Sequence, residues 1–146
     1  MEDTPVIVSA CLLGIRSRHD GEDSYDERAV KAAGTRPVPV CPEQLGGLPT
    51  PRARARIHGG DGHCVLEGTA LVKDEEGGDV TRAFLRGAFD VLNIARITGA
   101  KRAVLKEKSP SCGVNSIIGD ADGGVVRGRG VTAALLAREG IEVKGY

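Results

Sequence analysis

Aromatic residues are scarce in this 146-residue chain, which has two Tyr, two Phe and no Trp, so aliphatic side chains must fill its core. An excess of charge is also missing: 20 Lys and Arg balance 20 Asp and Glu. No overall positive field is available to hold a phosphate backbone, and general nucleic-acid binding is not predicted. Long hydrophobic runs are absent, which excludes a spanning helix. The start Met1-Glu2-Asp3-Thr4-Pro5 lacks the positive region of a signal peptide, so the chain is expected to stay in the cytoplasm. The tight C-x-x-C spacing by which many cluster proteins are known is missing too.

The length suits one domain over residues 1–146, large enough to bury a core without disulfides or a structural metal. In a reducing compartment its four cysteines are not expected to pair, so catalytic or metal-binding roles gain weight.

Three cysteines share one context. Val6-Ile7-Val8 reads as a buried strand ending in Ser9, Ala10 and Cys11. Val38-Pro39-Val40 reads as a short strand before Cys41, with Pro39 pointing to a sheet edge. Ala103-Val104-Leu105 is the third run, followed by Lys106-Glu107-Lys108 on the way to Cys112. Cys64, in Asp61-Gly62-His63-Cys64, has no such strand before it.

The strongest helix signal starts at Asp79 as N-cap. Val80, Ala83, Phe84, Gly87, Ala88, Val91, Leu92 and Ala95 repeat along one face. Gly99 is the expected left-handed stop, with Arg96 meeting the last carbonyls. A second helix over 132–139 ends at Gly140, and Ile141-Glu142-Val143 resumes as strand. The glycine-rich, acidic stretch 59–78 reads as a hairpin or excursion containing a strand at Ala70-Leu71-Val72.

Helix and strand alternate as in a mostly parallel sheet, so the expected fold is a Rossmann-like three-layer α/β sandwich. In such sheets ligands bind beyond the carboxyl ends of the strands, where Cys11, Cys41 and Cys112 would meet. Converging soft thiolates suit zinc, copper(I) or an iron–sulfur cluster. Each cysteine alone reads equally as a small buried hydrophobe.

Ser109 and Ser111 flank Pro110 before Cys112, where hydroxyls and loop N–H groups can donate to a cluster sulfide or a substrate oxygen. An ordinary Ser-Pro turn has the same residues. Glu43, two residues after Cys41, is near enough for acid/base work on a substrate bound there, or is a solvent-facing loop carboxylate. Arg52, Arg54 and Arg56 read as a solvated arginine-rich loop, with an anion contact as the alternative.

Long motifs add a resemblance. Ala10-Cys11-Leu12-Leu13-Gly14, Arg18-His19-Asp20-Gly21, Val40-Cys41-Pro42-Glu43-Gln44-Leu45-Gly46-Gly47-Leu48, Gly78-Asp79-Val80-Thr81 with Phe84, and Lys106-Glu107-Lys108-Ser109-Pro110-Ser111-Cys112-Gly113 resemble the TudS-type thiouracil desulfurases from about Val6 to Val143. The resemblance implies a 4Fe–4S cluster on Cys11, Cys41 and Cys112, with one iron free of protein ligands to take the substrate sulfur. It implies non-redox desulfuration of a thiolated uracil, with Glu43 as acid/base, Ser109 positioning the substrate and Ser111 beside it. Two positions depart from the family pattern: Arg56 stands where a glutamate is usual, and His19 where a tyrosine is common.

Three functions follow as expectations: a desulfurase, an electron-transfer or redox-sensing cluster protein, and a structural zinc module. A small thiolated base, nucleoside or nucleotide suits a compact neutral domain. Thiolated tRNA would need a basic surface, which Arg52 to Arg56 would form only if folding joined them to Lys101, Arg102, Arg127 and Arg129.

Overall fold

The computed structural model describes residues 4–119 and 123–146; residues 1–3 of the start read above lie outside them. Among the described residues, β1 (Val6–Ser9), β2 (Pro37–Val40), β5 (Arg102–Leu105) and β8 (Glu142–Gly145) form one sheet. Its order is β2-β1-β5-β8 and every pairing is parallel. Pro39 lies on the edge strand β2, as its missing donor requires.

Alternation along each strand sends side chains to two separate layers. Val6, Val8 and Val104 pack with Leu12 and with Ala29 and Ala33 of α1 (Glu27–Ala33). On the opposite face Ile7, Ala103 and Leu105 join the cluster that includes Phe84, Val91, Leu135 and Leu136. Those four come from α4 (Thr81–Thr98) and α5 (Val131–Arg138). Helix, sheet and helices thus make the expected three-layer sandwich.

The long helix buries Phe84, Gly87, Ala88, Val91, Leu92 and Ala95, most of the expected stripe, and stops at left-handed Gly99. Its start differs by a residue or two. Val80 is the N-cap, and Asp79 lies one residue earlier with its carboxylate accepting the Thr81 N–H at 3.0 Å. Arg96 pairs with Glu139 at 2.7 Å instead of meeting the last carbonyls, because the α5 terminus stands beside it.

Against α4 lies the short helix α2 (Pro42–Leu45), packed backbone to backbone. A Cβ on Gly87 would run into the Pro42 carbonyl, and one on Gly46 into the Ala83 carbonyl. Glycine at both positions therefore fixes where α2, and with it Glu43, sits.

The excursion expected over 59–78 belongs to an antiparallel hairpin that starts earlier, β3 (Ala55–His58) with β4 (Leu71–Asp74), and α3 (Gly62–Glu67) lies between its strands. The strand expected at Ala70-Leu71-Val72 begins one residue later and runs on to Asp74. A second hairpin, β6 (Ser116–Ile118) with β7 (Val125–Arg127), follows β5. Among the described residues no helix is long and apolar enough to cross a membrane.

Candidate functional site

The carboxyl ends of β1, β2 and β5 open into a cavity of about 380 Å³, and Cys11, Cys41 and Cys112 all line it. Each cysteine arrives by a different local device. Cys11 lies in a one-turn 3-10 helix, Ala10–Leu13, that follows β1 and is stopped by left-handed Gly14. Cys41 is the N-cap of α2, directly after β2, with Pro42 at the first helical position that tolerates a missing N–H.

Cys112 sits in the loop between β5 and β6, which is pinned from two sides. The first N–H groups of α5 donate into it: Val131 to the Pro110 carbonyl at 2.9 Å, and Thr132 and Ala133 to that of Ser111 at 2.8 and 3.1 Å. Glu107 closes the other side by accepting the N–H groups of Val114, Asn115 and Ser116 at 3.0–3.1 Å.

All four cysteines are free thiols. Burial pushes the Cys11 thiol above its ordinary value against the pull of Lys106, and pushes Cys112 up to about 12 against the Ser9 hydrogen bond. Neighbouring thiolate charge adds to the effect: Cys41 raises Cys11, and Cys11 and Cys41 both raise Cys112. Two buried thiols whose ionisation is opposed, facing a third across one cavity, are held as thiolates by a cationic centre, so this donor set fits an iron–sulfur core. Cys64 lies in α3, away from the cavity lining, as its sequence context suggests.

Glu43, Ser109 and Ser111 line the same cavity. The Ser109 Oγ accepts the N–H groups of Ser111 and Cys112, both at 3.1 Å. Its acceptor lone pairs are thereby used, so in the 3.1 Å contact between the two hydroxyls Ser109 is the donor. The Ser111 hydroxyl in turn donates to Glu43 Oε2 at 3.1 Å. A directed chain therefore runs from Ser109 through Ser111, a 2% exposed residue, to the carboxylate.

The arginine stretch divides. Arg52 is no solvated loop residue: its side chain is 7% exposed, and its Nε donates to Glu43 Oε1 at 2.8 Å. Arg54 and Arg56 border the cavity, and Arg56 Nη1 donates to the Gly119 carbonyl at 3.4 Å. His19, also at the cavity wall, has its pKa lowered chiefly by burial, which favours a neutral imidazole. Lys101 and Arg102 stand at the amino end of β5, the opposite end of the sheet, and so do not extend this basic border.

Sequence reasoning passed over Arg52 as an inward group, and it passed over Glu107 and Ser17. Ser17 is 3% exposed, and its carbonyl accepts from Arg52 at 2.9 Å and from the Cys41 thiol at 3.7 Å. A carbonyl acceptor carries no residue-type signal, so only the fold reveals it.

The family model described as 2-thiouracil desulfurase matches residues 6–145. The chain is 43% identical over 140 residues to the uncharacterized protein YbbK of Bacillus subtilis (strain 168), covering 94% of this chain and 93% of that protein. A solved structure named [4Fe-4S]-dependent thiouracil desulfidase TudS superposes with a TM-score of 0.82 at 41% identity, covering 98% of this chain and 91% of that one. The chain belongs to the 2-thiouracil desulfurase family.

Proposed function

We propose that this thiouracil desulfurase replaces the sulfur of 2- or 4-thiouracil, or of the corresponding nucleoside or nucleotide, with oxygen from water at a 4Fe–4S cluster held by Cys11, Cys41 and Cys112. The net change is thiocarbonyl plus water to carbonyl plus hydrogen sulfide. Sulfur keeps its oxidation state, so no electron donor is needed. When bound, the cluster supplies an iron without a protein ligand, a Lewis acid towards the thiocarbonyl sulfur.

The observation that carries this reading is the meeting of three free thiols and Glu43 in one cavity at the carboxyl ends of the strands. Glu43 Oε2 is the atom that takes the proton from the attacking water. Ser109 and Ser111 hold the hydroxyl chain beside it; with its hydrogen bonds committed to the loop and to Ser111, Ser109 positions the substrate by contact at the cavity wall. Arg54 and Arg56 at the border suit the phosphate of a nucleotide substrate.

The chemistry of the neighbour, whose name gives [4Fe–4S] dependence and thiouracil desulfidation, supports the same cofactor here. A structural zinc module is disfavoured. The family match and the neighbour's [4Fe-4S] dependence favour a cluster, which takes each thiolate on a different iron.

Anaerobic reconstitution with iron and sulfide tests the proposal. Brown protein should release sulfide and form uracil from thiouracil with no reductant present, and Glu43→Ala should abolish release while keeping the cluster absorbance. Colourless protein with stoichiometric zinc, or a reductant required at every turnover, would sink it.

A further inference from the structure

The geometry points to Arg52, at the cavity wall, as a positioning residue that holds the Glu43 carboxylate in its working orientation without itself donating a hydrogen bond to the substrate. The inference rests on the acid/base role proposed above for Glu43.

A guanidinium has five N–H donors and no acceptor. Here each has a protein partner. Nε donates to Glu43 Oε1 at 2.8 Å. Nη1 donates to Thr50 Oγ1 at 2.8 Å and to the Pro49 carbonyl at 3.2 Å. Nη2 donates to the Ser17 carbonyl at 2.9 Å and to Cys41 Sγ at 3.8 Å. No donor remains for a substrate anion, which separates Arg52 from its neighbours Arg54 and Arg56.

The ion pair is also shielded, with 7% of the Arg52 side chain and 13% of the Glu43 side chain exposed. Charge-assisted hydrogen bonds in such a site are short and directional, so the pair fixes the plane of the carboxylate as well as its place. Arg52 holds Oε1 and leaves Oε2 to Ser111. The Arg52 side chain is itself fixed through its backbone, whose N–H donates to the His19 carbonyl at 2.8 Å.

Arg52 therefore joins three segments: the loop after Cys11 at Ser17, the Cys41–Glu43 turn, and its own 49–52 stretch. Lysine keeps the charge but cannot reproduce a planar fork with five partners. Displacing a reacting group by about 1 Å costs on the order of 100-fold in rate, which sets the size of the effect.

The test uses the anaerobically reconstituted full chain with 2- or 4-thiouracil, whichever the unaltered protein turns over. Arg52→Lys should lower kcat by about 100-fold with KM within about twofold and cluster absorbance unchanged. In single turnovers long enough to read the residual rate of the Glu43→Gln protein, adding Arg52→Lys should lower that residual rate by less than about twofold, since the orientation it controls no longer matters.

Thr50→Val, at a more open position, removes one acceptor and should lower kcat by a smaller factor, about 3- to 10-fold, with the same lack of effect in the Glu43→Gln background. Unchanged kcat in both Arg52→Lys and Thr50→Val would overturn the inference. So would losses that multiply with that of Glu43→Gln, a loss confined to KM, or a loss of the cluster from Arg52→Lys. Failure of the underlying reading looks different: no sulfide release by the unaltered protein, or full activity in Glu43→Gln.

Discussion

The Glu107 carboxylate accepts from both nitrogens of Asn115, its backbone N at 3.0 Å and its Nδ2 at 2.7 Å. With Val114 and Ser116 also donating to it, one side chain at the end of β5 gathers the chain just after Cys112. Glu107 thus links the sheet to the cysteine loop without being one of the proposed cluster ligands.

A pH dependence follows. Burial works to raise the Glu107 pKa, but the N–H donations from Asn115, Val114 and Ser116 outweigh it and hold the value below the ordinary 4.5. A depressed carboxyl stabilises the fold above its unfolded pKa, and the contribution fades as pH falls through the lower folded value. Urea unfolding of the unaltered chain should therefore show stability declining below about pH 4.5. Glu107→Gln should flatten that decline and, with its charged acceptor gone, cost about 1–3 kcal/mol at neutral pH. An unchanged slope would remove Glu107 from this role.

The cysteines should separate cleanly. Cys11→Ser, Cys41→Ser and Cys112→Ser should each lose the broad cluster absorbance near 400 nm after anaerobic reconstitution, and sulfide release with it. Cys64→Ser should keep both, because α3 carries Cys64 away from the cavity. Iron content per chain is the direct measurement, and a full complement in any of the first three variants would contradict the assigned ligands.

How much of this was legible in the sequence depended on how local the cause was. The strands before Cys11, Cys41 and Cys112 and the α4 stripe announce themselves, because burial imposes period and composition over consecutive residues. Helix α1 did not, since its buried contacts are only Ala29 and Ala33. The β6–β7 hairpin was equally quiet, with Val125 and Val126 half-exposed at 53% and 45%. Arg52 was misread for a different reason. Its burial comes from partners at positions 17, 41 and 43, which only tertiary folding brings to it.

Backbone contact between α2 and α4 makes a prediction about Gly87. A methyl group there meets the Pro42 carbonyl, so Gly87→Ala must move α2 off its seat. Overpacking of this kind costs about 1–3 kcal/mol, more than the gain in helix propensity returns. Thermal unfolding should show the loss. Because α2 carries Glu43 two residues from Cys41, kcat should fall as well, whereas a substitution on the exposed side of α4, such as Phe89→Ala, should leave kcat unchanged.

The cavity border, finally, separates a nucleotide from a free base. Arg54 is exposed and Arg56 partly so, and both line the cavity, while Arg52 has spent its donors on the protein. A phosphate held by exposed arginines is held mainly by Coulomb attraction, which salt screens over about 10 Å at 0.1 M ionic strength. The double variant Arg54→Ala, Arg56→Ala should therefore raise KM for a thiouridine monophosphate by about 10-fold while leaving KM for thiouracil unchanged. Added salt should raise KM for the nucleotide in the unaltered protein and have little effect in the double variant. Equal KM changes for base and nucleotide would mean that these arginines shape the cavity instead of holding a phosphate.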